Sequence, residues 1–226
     1  MEAVALPTAL QLVASGDTGL SLEKRAALGS SLLLLKRDYR FERVWFWGCI
    51  QGVSGTYYIA QGLGPDLAAP RSRLYSLNCV EWNLLPPATE EMVKQAELLK
   101  GHFQGDPSFE YDSAGVNAED NERFPDGGKE LTITEEKRLV ATIEQIDRAV
   151  GIIPRRAFMK TPLGSVHENR NFEGSWTIQL EKGCTVVVLR SLLWLGLTFY
   201  HVPMTKQYGY LYCGTGEKNL DLPFML

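Results

Sequence analysis

Gly214-Thr215-Gly216-Glu217-Lys218-Asn219 is the segment closest to a phosphate-binding turn, and its spacing fails that chemistry. A phosphate loop separates two glycines by four residues, follows with Lys and Ser or Thr, and opens a helix so that backbone N–H groups converge on the anion. Here Glu217 carries the wrong charge, Asn219 stands where the hydroxyl belongs, and Leu220 to Pro223 do not continue as a helix, so the segment reads as a glycine turn. His102, His167 and His201 fall at a helix end, in a loop and in a strand, none with a carboxylate or second imidazole at ligand spacing, so no metal site is expected. Cys49, Cys79, Cys184 and Cys213 are scattered, without a Cys-x-x-Cys pair, and each lies in an apolar or aromatic context where a reduced thiol packs as a small hydrophobe. No Gly-x-Ser-x-Gly elbow is present, and no cysteine has a base beside it in sequence. Triad members need not be sequence neighbours, so a spatial triad stays open. The sequence offers no catalytic residue, no cofactor site and no metal ligand set.

Composition narrows the class. At 226 residues with 45% hydrophobic content the chain is long enough for a single domain with a substantial core. Its 23 basic and 27 acidic residues give a net charge of −4, with no run of like charge beyond pairs such as Glu90-Glu91 or Arg155-Arg156. A nucleic-acid surface needs a basic stripe to exchange for phosphate counterions, so that partner is excluded. Residues 1 to 14 are apolar but lack a positive leader and a small-residue cleavage site, which predicts a protein kept inside the cell. Apolar runs such as Leu32 to Leu35 are far short of the roughly 20 residues that span a bilayer.

The elements follow from periodicity and punctuation. Ser21 opens a helix expected over Leu22 to Asp38, with Glu23 at its start and Lys36 and Arg37 at its end to suit the dipole; both sides of its last turn are expected to be covered. Aromatic and β-branched runs at Val44 to Ile50, Thr56 to Ala60 and Leu74 to Trp82 predict a three-stranded antiparallel meander. Pro86 and Pro87 end it, and Thr89 caps a second helix that closes at Lys100 and Gly101. A flexible loop is expected near 105–128, then a short strand over Lys129 to Ile133 and a third helix capped by Thr134, carrying Leu139, Ile143, Ile146 and Val150 on one face. A surface crossing near 154–174 leads to four more strands, over Trp176 to Leu180, Thr185 to Leu193, Leu197 to Val202 and Gln207 to Tyr212. The continuous run Thr185 to Leu189 predicts a strand buried on both faces. Strands grouped apart from helices give an α+β fold, an antiparallel sheet with about three helices packed on it, in one domain over 1–226.

Five tryptophans, nine tyrosines and nine phenylalanines supply core and, where a face is exposed, binding surface. The chain closes on an apolar tail in which Leu222, Phe224, Met225 and Leu226 are costly to leave in water, at about 25 cal/mol per Å². They are the candidate partner-interface residues.

The words Leu35-Lys36-Arg37-Asp38-Tyr39-Arg40, Phe46-Trp47-Gly48, Leu74-Tyr75-Ser76-Leu77-Asn78-Cys79, Leu84-Leu85-Pro86-Pro87-Ala88-Thr89-Glu90-Glu91-Met92-Val93, Val188 to Trp194 and Gly214 to Leu226 resemble the radial spoke head proteins of motile cilia and flagella. The likeness runs from about Leu20 to the end. It departs at Gly174-Ser175, where the family carries a further polar and acidic segment, and at Leu195, where the family has proline. The resemblance implies a non-enzymatic component of the axonemal cytoskeleton, assembling with other spoke-head proteins, especially the larger paralogues numbered four and six. Through the assembled head it would meet central-pair projections and pass signals toward the dynein arms; no nucleic acid and no membrane is implied. The rival reading is a small-molecule binding or hydrolytic α+β domain using the strand rim around Tyr200, His201 and Tyr208.

Overall fold

The computed structural model describes residues 1–13, 20–66, 68–111, 133–150, 158–164, 166–168 and 175–222. In chain order these form a 3-10 turn at Ala3–Ala5, then α1 (Leu6–Val13), α2 (Leu22–Asp38), β1 (Arg43–Gln51), β2 (Thr56–Leu63), β3 (Ser72–Ser76), β4 (Asn83–Leu84) and α3 (Glu90–Leu98). They continue with β5 (Glu110–Tyr111), β6 (Ile133–Thr134), α4 (Glu135–Val150), β7 (Phe158–Lys160), β8 (Val166–Glu168), β9 (Trp176–Glu181), β10 (Val186–Ser191), β11 (Leu197–His201) and β12 (Tyr208–Gly214). No helix among the described residues is long and apolar enough to cross a membrane.

Eight strands make one sheet in the order β4-β3-β2-β1-β12-β11-β10-β9. Two antiparallel meanders, β1 to β4 and β9 to β12, lie side by side, and the pair that joins them is parallel: Gly48 opposite Tyr212, Cys49 opposite Cys213 and Ile50 opposite Gly214. The expected antiparallel sheet is thus antiparallel except at this seam. A parallel pair needs a long crossover, and here nearly the whole chain serves as one.

Both sheet faces are covered. α1 and α2 pack with Val44, Phe46, Cys49, Tyr58, Val186 and Val188 on one side; α4 packs through Leu139, Val140, Ile143 and Ile146 against Trp47, Ile50, Tyr57 and Tyr212 on the other. β10 is buried on both faces from Val186 to Leu189, all at most 1% exposed, while Thr185, the first residue of the expected run, is exposed and precedes the strand. α2 has the expected bounds, with the Lys24 N–H donating to Ser21 Oγ at its start. Leu28, Ser31, Leu32 and Leu35 face inward at helical spacing, each leucine worth about 2 kcal/mol of burial.

Several expectations are corrected. α1 makes a fourth helix, inserted through Leu6, Ala9, Leu10 and Val13. The third expected strand stops at Ser76 because Asn78 Oδ1 accepts from the Val80 and Glu81 N–H groups and turns the chain back toward β4. Thr134 ends β6, and the opening N–H groups of α4 donate instead to the carbonyls of Phe109 and Pro107. The expected loop near 105–128 holds β5, paired with β6; its residues 112–128 lie outside the described ones. The expected surface crossing near 154–174 includes the hairpin of β7 and β8, with residues 154–157, 165 and 169–174 outside the description.

Candidate functional site

A buried carboxylate, Glu135, and a half-buried one, Asp147, are the strongest candidates for chemistry, and the fold consumes both. Glu135, the first residue of α4, has no exposed surface. Its Oε1 accepts from the Tyr57 hydroxyl at 2.6 Å and the Gly105 and Asp106 N–H groups at 2.7 and 3.2 Å, while Oε2 accepts from the Gln104 N–H at 2.7 Å and the Tyr111 hydroxyl. The carboxylate therefore ties α4 to β2, β5 and the turn after Phe103. Burial, with the Glu135 bond second, pushes the Tyr57 phenol far up, and pushes Tyr111 up to about 12, so both remain donors. Arg138, one turn along, lies over the Phe103 and Tyr111 rings and donates to the Gly101 carbonyl.

The second centre joins α4 to the sheet beside the seam. Asp147 accepts from Trp47 Nε1 at 2.7 Å and Gln61 Nε2 at 2.8 Å, and Arg73 bridges Asp147 and Glu144. Burial raises the Asp147 carboxyl despite these donors. Burial alone would raise Glu144 too, but Arg73 and Arg148 outweigh it and hold that group below its ordinary value. Every carboxylate oxygen of these clusters faces a donor already in place, which gives rigid helix-on-sheet docking.

The remaining expected sites stay apart. Gly214 to Asn219 is an irregular turn: Gly216 N–H donates to the Tyr212 hydroxyl at 2.8 Å, and Asn219 Nδ2 to the Leu192 carbonyl at 2.9 Å. His102 lies 3.3 Å from Glu217, a carboxylate its sequence neighbours do not reveal, but no group of three metal-binding side chains occurs among the described residues. At the rim of the rival reading Tyr200 is buried, His201 Nε2 meets the Thr205 carbonyl at 3.3 Å, and Tyr208 points outward at 67% exposure, so these three form no convergent polar set. Cys79 is buried and Cys184 exposed, but Cys49 and Cys213 are brought together, Sγ to Sγ 3.2 Å, a meeting that sequence distance hides.

Part of the exposed apolar surface lies along α2 and the turn before β4. Leu33 and Leu34 are each 50% exposed, contrary to the expected cover on both sides of that turn, and Tyr39, Leu77, Val80 and Leu84 are also exposed. Leu34, Leu35, Tyr39, Val80 and Trp82 line a groove of about 350 Å³ between helix and turn. Ser31 Oγ and Trp82 Nε1, atoms of residues in its lining, are buried without a hydrogen-bond partner among the described residues. Of the tail residues expected at an interface, Leu222 is half-buried, while Phe224, Met225 and Leu226 lie outside the described residues. Leu220 beside them is exposed. The α2 surface was missed in the sequence, although Leu33 and Leu34 flank the inward Leu32 and Leu35 in an unbroken run wider than one helical stripe.

No family model matches the chain. Among curated proteins it is similar to "Radial spoke head protein 9 homolog" of Homo sapiens, 48% identical over 276 aligned positions that cover all of both chains. Proteins of the same name from Mus musculus and Danio rerio are 48% and 42% identical, again with full coverage of both chains. The human alignment has 276 positions against 226 residues here, so about 50 have no counterpart in this chain. Identity at this level along the full length means that the chain belongs to the radial spoke head protein 9 family.

Proposed function

We propose that this chain is a non-enzymatic structural component of the axonemal radial spoke head. It works as a single rigid domain that docks onto a larger spoke-head protein of the kind numbered four or six, and through the assembled head it helps pass signals between the central pair and the dynein arms. Family membership supports the setting. One observation carries the mechanical role: the Glu135 and Asp147 carboxylates are spent on holding α4 to the sheet, while one set of exposed apolar side chains, Leu33, Leu34, Tyr39 and Val80, flanks the groove between α2 and the turn before β4. A patch rimmed by polar residues and holding an aromatic-lined groove is the kind of surface that partners cover. The half-buried Leu222 suggests a supporting role for the tail.

The test is co-purification of the intact chain, and of a version truncated before Leu222, with salt-extracted spoke-head proteins, read by mass spectrometry. The intact chain should bring down a larger spoke-head protein. An intact chain that stays folded and alone in that extract would overturn the scaffold reading. Loss of capture on truncation places the tail in the interface, and unchanged capture removes it from the proposal.

A further inference from the structure

Cys49 on β1 and Cys213 on β12 are lateral partners in the parallel seam, with their sulfurs 3.2 Å apart. We propose that they form a reversible dithiol–disulfide site, oxidised by a hydroperoxide, that staples the two halves of the sheet along the junction joining them.

The backbone suits the bond. Neighbouring strands run about 4.8 Å apart. Disulfides bridge Cα separations of about 4.4–6.8 Å and need their sulfurs at about 2.05 Å, so closure asks roughly 1.2 Å of sulfur movement without shifting the strands. The pairing is also a product of a local irregularity. Val44 and Phe46 point toward α2 and Trp47 toward α4, so simple alternation would send Cys49 toward α4. The register shift between Phe46 and Gly48 reverses this and turns Cys49 to the α2 side, where Cys213 already lies. Gly48 allows it with φ +147°, because a Cβ there would sit 1.9 Å from the Tyr212 carbonyl oxygen.

The surroundings separate this pair from the other thiols. The bond with Cys213 lowers the Cys49 thiol against the effect of burial, and the Lys24 ammonium, 5.1 Å from the centre of the Tyr58 ring on the same face, lowers it further. Cys79 is pushed up to about 11 by burial and stays a protonated core thiol. Cys213 is half-buried where Cys49 is buried, so in the proposed reaction the peroxide meets Cys213 first.

In the reaction the Cys213 thiol gives up its proton as its sulfur attacks one oxygen of hydrogen peroxide; the S–O bond forms, the O–O bond breaks, and the leaving hydroxide takes that proton to become water. The Cys49 thiolate then attacks the sulfenic sulfur, forming S–S and breaking S–O, and the second oxygen leaves as water with the remaining proton. Two thiols lose two electrons and two protons, and the peroxide becomes two waters. An added dithiol reverses the step by exchange. The closed bond spans 164 residues of chain, so the stapled protein should unfold at a higher temperature.

The test treats the folded full-length chain with hydrogen peroxide, blocks remaining thiols with an alkylating reagent, and maps peptides without reduction. The expected product is a Cys49–Cys213 cross-linked peptide lighter by two hydrogens, reversed by dithiothreitol, with Cys79 still alkylated only after unfolding. Thermal unfolding of the oxidised chain should rise by about 5 °C or more. A Cys184→Ser chain, free of the exposed thiol, should give the same result. Recovery of Cys213 as a stable sulfinic acid, or a cross-link through Cys79, would overturn the pairing, and a lower unfolding temperature in the cross-linked chain would overturn the staple.

Discussion

Replacing Glu135 by glutamine keeps the shape of the side chain and removes only its ability to accept at both oxygens. The native carboxylate takes three bonds at Oε1 and two at Oε2, from two phenols and three backbone N–H groups. In Glu135→Gln the amide oxygen still serves Tyr57, Gly105 and Asp106, and Tyr111 can rotate its hydroxyl to accept from the new NH₂. The Gln104 N–H then faces another donor and loses its acceptor. One buried unmet donor costs about 1–3 kcal/mol, and exchanging a charged for a neutral acceptor weakens the bonds that remain by about 1 kcal/mol in all, so the loss should be about 3 kcal/mol. Glu135→Ala orphans the backbone donors too and leaves a cavity, for about 5 kcal/mol. Urea unfolding followed by fluorescence gives both numbers, with an unchanged m-value showing that the same surface is exposed. A loss below about 1 kcal/mol for Glu135→Gln would refute the claim that this carboxylate organises the start of α4.

Three further outcomes follow from the same geometry. Gly48→Ala puts a Cβ into the Tyr212 carbonyl at a φ that L residues avoid, so it should cost about 3–5 kcal/mol or leave the chain insoluble, read by urea unfolding of the soluble fraction. The Met1 α-amine, which donates to the Phe46 carbonyl and is buried, is lowered to about 5 from 8.0, chiefly by burial and then by Arg71. Between these values the unfolded chain binds a proton that the folded one does not, so stability should fall as pH drops from 8 to 5, by up to about 4 kcal/mol; denaturant midpoints across that range should flatten once the amine is acetylated. Leu33→Glu with Leu34→Glu should leave unfolding within about 0.5 kcal/mol while weakening capture of a larger spoke-head protein at least tenfold, measured by titration.

The reach of the sequence differs by element. α2 and α3 were legible to the residue at their starts because Ser21 and Thr89 carry local cap chemistry, and each accepts from the N–H three residues on. The strands of both meanders announced themselves through β-branched and aromatic runs between turns. α1 escaped, although Leu6, Ala9, Leu10 and Val13 have helical spacing, because eight residues with no acidic first turn and no basic last turn carry little local signal. The parallel seam escaped because it pairs residues about 164 apart, and long-range register depends on which faces are apolar across the whole sheet. For the same reason nothing local in the sequence marks Glu135 and Asp147, because the groups that claim them come from β1, β2, β5 and the turn after Phe103. The apolar tail could be read as costly, but not where it goes.

In the proposed assembly a larger spoke-head protein sits on the exposed surface of α2 and the turn before β4. Hydroxyl-radical footprinting of the chain alone and in complex with that protein measures this directly, since oxidation of each side chain reports its contact with water. The account predicts that Leu33, Leu34, Tyr39, Val80 and Trp82 become protected in the complex while Tyr208 and Met204 keep their rates. Unchanged rates along α2 with protection confined to the β11–β12 rim would contradict it.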